Sequence, residues 1–210
     1  MLVWVAIGVA LIDWSAVYTQ RARVESFAKS FVLILLIAAV VQQDPTTTGW
    51  VIAAGLTMSL IGDVLLLPSV DWFLGGLVAF LMAHLIYIAA FVGAWNLSDA
   101  QARWQLLVGF GLALAMWLLF GRPISSASKA GGGGLSAAVT AYVIVLSSMM
   151  ITGFGVGSVV LALGALLFAA SDGVLGWNRF VGDLAYGRVA THVLYHLGQT
   201  LFAVWAINLS

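Results

Sequence analysis

A chain of 210 residues with 63% hydrophobic side chains, 8% charged ones and a mean hydropathy of +1.10 has too little polar surface to be wetted by water; soluble domains carry about 25% charged residues. Formal net charge is zero, which leaves no global attraction for nucleic acid, and the lack of cysteine excludes disulfides, thiolate catalysis and cysteine–metal sites. The composition is that of an integral membrane protein with lipid as its solvent.

The apolar runs in chain order are residues 2–18, 27–41, 49–67, 72–94, 104–120, 135–151, 157–176 and 189–207. The first run lacks a basic n-region and a clear small-residue cleavage site, so it reads as a retained span and not a signal peptide. Charges or turn formers fill every break, in the order QRARVES, QQDPTTT, PSVD, WNLSDAQAR, GRPISSASKAGGGG, TGFG and WNRFVGDLAYGR. Only TGFG is weak, and merging the runs on either side of it would give a stretch far longer than the about 20 residues that one crossing needs. Eight helices use roughly 160 positions, so the chain is expected to be one all-α membrane domain over residues 1–210, with no room for a soluble domain.

All nine tryptophans lie within a few residues of a proposed span end, where the indole has an apolar body in lipid and its N–H in water. Lysine and arginine set the orientation. The odd-numbered connections hold Arg21, Arg23, Lys29, Arg122, Lys129, Arg179 and Arg188; the other side holds Arg103 alone. A multi-pass protein of the cell membrane with both termini outside the cytoplasm is expected. Glycines 131–134 lack the Lys-Ser/Thr and the strand–helix context of a phosphate loop and read as a flexible linker in the longest cytoplasmic connection. The triplets Asn96-Leu97-Ser98 and Asn208-Leu209-Ser210 match a glycosylation acceptor, but such triplets are common by chance.

Ionisable side chains at depth in lipid cost about 2.5–3.5 kcal/mol on insertion scales and default to functional candidates. Within the runs they are Asp13, Asp63, His84, Asp172, His192 and His196. Asp13 lies near Arg21 and Arg23 and reads as a boundary anchor. Asp63 and Asp172 each sit about four residues from the cytoplasmic end of an apolar run, roughly 6 Å deep. His84-Leu85-Ile86-Tyr87 follows Asp63, and His192-Val193-Leu194-Tyr195 follows Asp172. The two aspartates are 109 positions apart and the two histidines 108, so spans 3–4 and 7–8 read as a parallel internal repeat. On the eighth span His192, Tyr195, His196 and Gln199 form one helical stripe; on the fourth, Phe80, His84, Tyr87 and Phe91 form its counterpart. Polar stripes in lipid face the bundle interior, so the two aspartates are expected to look across a central cleft at these stripes. Histidine and tyrosine in spans also serve as interhelical hydrogen-bond partners, and for His84 or Tyr87 alone that role competes with chemistry. Two carboxyls are expensive as glue and point to function.

GDVLLL in span 3, FLMAHLIYIAAF in span 4, GALLFAASD in span 7 and YHLGQTLF in span 8 resemble the YhhN-like membrane proteins. That family includes the lysoplasmalogenases, which are alkenylglycerophosphocholine and -ethanolamine hydrolases. The resemblance covers four spans closely and the whole chain in length and helix count. The family commonly has Lys-Pro entering the second span, where this chain has Lys29-Ser30. The resemblance implies hydrolysis of the vinyl-ether bond of a lysophospholipid to a fatty aldehyde and a glycerophospho-ethanolamine or -choline, with Asp63 and Asp172 matching the family's two aspartates.

A vinyl ether is cleaved after a proton reaches its β-carbon and water captures the resulting oxocarbenium ion. The chemistry therefore asks for one protonated carboxyl and a second to stabilise the cation or activate water, as in paired-carboxyl enzymes generally. Either aspartate fits either role. His84, Tyr87, His192, Tyr195, His196 and Gln199 are expected to orient the water and the carboxyls. Arg122, Lys129 and Arg179, at the cytoplasmic surface, are candidates for the substrate phosphate. No metal or cofactor is required; the partners expected are the substrate lipid and the bilayer. Two other readings stand beside this one. His192 and His196 at i, i+4 with His84 and Asp172 would suit a zinc-dependent lipid amidase or esterase, and paired acids with a parallel repeat would suit a small proton-coupled transporter.

Overall fold

The computed structural model describes residues 1–67, 69–95 and 98–209; Pro68 in the PSVD break, and Asn96, Leu97 and Ser210 of the two glycosylation-like triplets, lie outside the described residues. Among the described residues every regular element is helical. The helices are α1 (Leu2–Tyr18), α2 (Ala22–Val41), α3 (Thr47–Leu65), α4 (Phe73–Gly93), α5 (Ala100–Met116), α6 (Arg122–Ala127), α7 (Gly133–Phe154), α8 (Val159–Phe180) and α9 (Gly187–Ile207). A π-helical turn, Trp117–Gly121, joins α5 to α6, and a 3₁₀ turn, Ser128–Gly131, follows. Ala100–Gly131 is thereby one apolar rod of 32 residues. Among the described residues six rods are long and apolar enough to cross a membrane. The other two are α1, apolar but only 17 residues, and α9, 21 residues long with a polar stripe. The eight rods correspond one to one with the eight apolar runs.

Caps explain where the rods begin. Thr46, Asp99 and Ser158 each accept a hydrogen bond from a first-turn backbone N–H, which satisfies donors the helix leaves open. The weak TGFG break becomes a real turn because Gly157 takes φ +83° and Ser158 then caps α8.

The expected flexible glycine linker is corrected by the structure. Pro123 lies two residues past the π-helical turn Trp117–Gly121, whose wider winding takes in the carbonyl that a proline ring meets four residues back, so the rod carries on and most of that connection is helical. Gly132, at φ +93°, makes the reversal, and Gly133 already belongs to α7. The tryptophan pattern is also mixed. Trp4, Trp50, Trp72 and Trp104 are more than half exposed, whereas Trp205 is buried in the core and Trp14 points inward to donate to His196 Nδ1 at 3.1 Å.

Neighbouring rods pair as α1–α2, α3–α4 and α8–α9; α9 also packs on α1, α2 and α3, and α7 packs on α4 and α5. Glycine lets the pairs close. A Cβ on Gly55 of α3 would lie 2.2 Å from the Tyr87 ring of α4, and one on Gly164 of α8 would lie 3.0 Å from the Phe202 ring of α9. These glycines are 109 positions apart, the same interval as the two aspartates. Small residues admitting a facing ring are a common basis of helix packing in lipid, where no hydrophobic force draws helices together. The core seam is aromatic, with the rings of Phe91 and Phe168 each in contact with those of Tyr87 and Phe202.

Candidate active site

One polar cleft of about 360 Å³ opens among the adjoining ends of α2, α3, α8 and α9. Asp63 and Asp172 both line it, with Glu25, Lys29, Arg188, His192 and Tyr195. The two carboxyls therefore share a cavity, but their helices end differently. α3 stops at Leu65, two residues beyond Asp63, whereas α8 runs eight residues beyond Asp172 to Phe180. The apolar run closes at residue 176, yet Trp177, Asn178 and Arg179 continue the helix, because leaving lipid does not by itself break a hydrogen-bonded rod.

Each aspartate faces a stripe residue from the opposite half of the molecule. Tyr195 on α9 donates to Asp63 Oδ2 at 2.7 Å, while His84 Nε2 on α4 lies 3.5 Å from Asp172 Oδ2. The sequence-predicted facing of aspartates and stripes is thus a crossed one, with the α3 acid meeting the α9 stripe and the α8 acid meeting the α4 stripe.

Their remaining partners differ in charge. Lys29 Nζ sits 2.8 Å from Asp63 Oδ1 and 5.5 Å from the centroid of the Tyr195 ring, so a cation and a phenol enclose that carboxyl. Asp172 instead accepts from Tyr142 on α7 at 2.5 Å and from Ser171 at 3.5 Å. His84 packs against the Tyr142 and Phe168 rings, and both of its ring nitrogens are buried with no hydrogen-bond partner among the described residues.

The other stripe residues divide into two groups. Tyr87 donates to Gln199 Oε1 at 2.8 Å and lies 3.5 Å from Ser59 Oγ; this pair braces α4, α9 and α3 inside the aromatic seam. His192 Nδ1 meets Asp13 Oδ2 at 2.7 Å, and its Nε2 is 3.7 Å from Glu25 Oε1. Arg188 then pairs with both Glu25 oxygens, at 2.7 and 2.8 Å. His196 Nδ1 is 3.7 Å from the same Asp13 oxygen. Asp13 is fully buried, which corrects its reading as a boundary anchor beside Arg21 and Arg23. Its position on α1 turns it to α9, one face of the helix away from lipid.

No sequence pattern singles out Lys29, Tyr142, Glu25 or Arg188 as site residues. By sequence Lys29 reads as a topology charge and Tyr142 as part of an apolar run. A signal was present for Lys29, since the family's Lys-Pro pattern places a lysine at that position. Of the three basic headgroup candidates, Arg122 and Lys129 are exposed and do not line the cleft. Arg179 lies over the Phe73 ring at 4.6 Å, beside a separate apolar cavity that also reaches Asp172. The four groups that a zinc site would draw on are split between the His84–Asp172 contact and the His192–Asp13–His196 cluster. Among the described residues no three His, Asp or Glu side chains are arranged to hold a metal ion.

Comparison with known proteins follows the same lines. The sequence model of the YhhN family matches residues 24–205. A protein of Mycobacterium tuberculosis named lysoplasmalogenase is 34% identical over 161 residues, 74% of this chain and 59% of that relative. Rat lysoplasmalogenase TMEM86B is 32% identical over 180 residues, 84% of this chain and 69% of the relative. A lysoplasmalogenase homolog of Dictyostelium discoideum is 24% identical across 95% of the chain. The chain thus spans about 59% of the mycobacterial relative's length. No solved structure matches it.

Proposed function

The chain belongs to the YhhN family, and on that footing we propose that it is a membrane hydrolase cleaving the vinyl-ether bond of a lysoplasmalogen, with Asp172 as general acid and Asp63 as the ionised partner. The observation that carries this assignment is the asymmetry of the two carboxyls in one cleft. Asp63 has an ammonium at 2.8 Å, and a contact cation favours the carboxylate. Asp172 has no ammonium or guanidinium at contact distance among the described residues, its neighbours being a phenol, a hydroxyl and an imidazole, so the proton is assigned to it and not to Asp63.

The reaction balances on these two groups. Asp172 gives its proton to the β-carbon of the vinyl ether, leaving an oxocarbenium ion next to the ether oxygen. The Asp63 carboxylate stabilises that cation and takes a proton from the water that attacks it, giving a hemiacetal. In the collapse Asp63 returns its proton to the leaving glycerol oxygen as the carbon–oxygen bond breaks. Asp172 takes the hemiacetal hydroxyl proton, and the aldehyde departs with both carboxyls restored. Proton transfer by a positioned side chain typically contributes about 10²–10⁴-fold. Lys29 and Tyr195 hold Asp63; Tyr142 holds Asp172, with His84 beside it.

The seven-to-one division of basic residues further supports an orientation with the cleft mouth at the cytoplasmic face and both termini outside. Lysoplasmalogen hydrolysis by purified Asp63→Asn and Asp172→Asn proteins, read as aldehyde release, tests the mechanism. Each is expected to fall at least about a hundredfold while eluting as a folded protein. Near-native turnover in both would overturn the acid–base assignment.

A further inference from the structure

Beyond the two aspartates the polar cleft is lined by a second pair of charges, Glu25 and Arg188. Glu25 lies four residues before Lys29 on α2, on the same face and one turn nearer the helix start. Arg188 lies seven residues before Tyr195 on the α9 stripe. The Glu25–Arg188 pair is therefore displaced by about 6 Å along α2 from the Lys29–Asp63 pair, toward the end of the cleft where α2 and α9 begin.

Only one nitrogen of the Arg188 guanidinium is occupied. Nη2 donates to both Glu25 oxygens, while Nε and Nη1 donate to nothing among the described residues. The arginine side chain is 59% exposed and the glutamate 9%, so a buried carboxylate anchors a guanidinium whose remaining donors are open. Lys29, which also lines the cleft, is committed to Asp63. Asn178 of α8 lines the cleft as well. The Leu184 N–H donates to its Oδ1 at 2.9 Å, which fixes the orientation of the amide and leaves Nδ2 with no hydrogen-bond partner among the described residues. A Cβ on Gly187, the residue before Arg188, would collide with this amide; glycine there is what lets Asn178 reach the start of α9.

We propose that Arg188 and Asn178 bind the phosphodiester of the substrate headgroup, with Glu25 as the positioning residue that fixes the guanidinium. The inference rests on the lysoplasmalogenase reading and deepens it by naming residues for the end of the substrate that the carboxyls do not touch. A guanidinium is always charged and presents planar donors that match phosphate oxygens. Anchoring it in advance spares part of the ordering cost of binding. The spacing agrees, because the bonds from the vinyl-ether carbon to phosphorus span about as much as two extended residues, roughly 7 Å, against one helical turn between the two ion pairs. The volume agrees too, since a cleft of about 360 Å³ equals the liquid share of roughly twelve waters, enough for a glycerol phosphodiester. The phosphate role expected of Arg122, Lys129 or Arg179 thus passes to an arginine that lines the cleft.

Two measurements test this. The first compares, in detergent, the binding of two lipids that cannot be hydrolysed, a saturated alkyl-ether lysophosphatidylethanolamine and the alkylglycerol with the same chain and no phosphate. Hydrogen bonds to a charged group are worth about tenfold to a hundredfold in affinity, so wild type is expected to prefer the phosphorylated lipid by that factor and Arg188→Gln to lose the preference. Equal affinities in wild type, or loss for both lipids alike in the variant, overturns the proposal. The second compares kcat/KM for lysoplasmenylethanolamine and for the corresponding alkenylglycerol. The ratio is expected to fall at least about tenfold in Arg188→Gln, through KM and not kcat, and at least about threefold in Asn178→Ala. An unchanged ratio in either variant, or a fall in kcat shared by both substrates, counts against the site. If Arg188→Gln does not fold, Glu25→Gln combined with Arg188→Gln, which strands no charge, carries the same comparisons. Phosphate-dependent binding in a protein with no vinyl-ether hydrolysis would sink the catalytic reading and leave the headgroup site standing. Hydrolysis with no phosphate preference would do the reverse.

Discussion

Lys29 on α2 and Asp63 on α3 form an ion pair of 2.8 Å, with the carboxylate fully buried and the lysine side chain 15% exposed. This contact separates two aspartates that the sequence repeat presents as equivalents. In low dielectric a carboxylate is costly unless it is paired, and the pair supplies the compensation for Asp63 alone.

Breaking that pair leaves a buried charge, at a cost of about 3–5 kcal/mol. Lys29→Met is expected to lower the thermal unfolding midpoint in detergent and to abolish aldehyde release. Adding Asp63→Asn to Lys29→Met should recover most of the stability and none of the activity. Recovery of activity in the double variant would show that the pair only holds the fold.

Tyr142→Phe removes the donor on Asp172 while keeping the ring against His84. As Asp172 gives up its proton this hydrogen bond comes to rest on a developing carboxylate, where such bonds are worth about 1.5–3 kcal/mol, so turnover is expected to fall about tenfold to a hundredfold with KM little changed. A rise in KM at constant kcat would instead make Tyr142 a binding residue.

Asp13, fully buried, depends on His192 for its 2.7 Å contact. His192→Ala should destabilise the protein by about 1–3 kcal/mol, the cost of stranding a buried acceptor. Asp13→Ala combined with His192→Ala is expected to be more stable than His192→Ala alone. Equal or greater loss in the double variant would argue that Asp13 has another partner.

Packing of the α3–α4 pair depends on Gly55. A methyl there would overlap the Tyr87 ring, and overpacking typically costs about 1–3 kcal/mol. Gly55→Ala is expected to unfold at lower temperature, whereas Gly111→Ala, with nothing within 4 Å of its added carbon, should be neutral or stabilising. Equal midpoints would mean that the Tyr87 ring has room to move.

The absence of cysteine makes topology directly measurable. Single cysteines at Gly182, in the α8–α9 connection, and Asp44, in the α2–α3 connection, occupy exposed positions. A membrane-impermeant maleimide should reach Gly182→Cys only from the cytoplasmic side and Asp44→Cys only from the other. The reverse labelling would invert the orientation and move the cleft mouth to the outer face.

Span number, the single helical architecture and the two aspartates were legible in the chain itself, because hydropathy runs and rare charges in lipid are local, one-dimensional signals. The repeat interval of 109 was legible too, and it recurs in the Gly55 and Gly164 contacts. What the repeat conceals is its own asymmetry. Lys29 and Tyr142 come from helices outside the repeated pairs, so no spacing within those pairs foretells that one acid meets an ammonium and the other a phenol. Asp13 looked like a surface anchor because its sequence neighbours are arginines, yet its facing helix is α9, far along the chain. Which side chains meet across a bundle depends on the rotation and register of packed rods, which are set jointly by glycines and rings on different helices. Only the assembled helices decide that, and which partner each carboxyl meets follows from it.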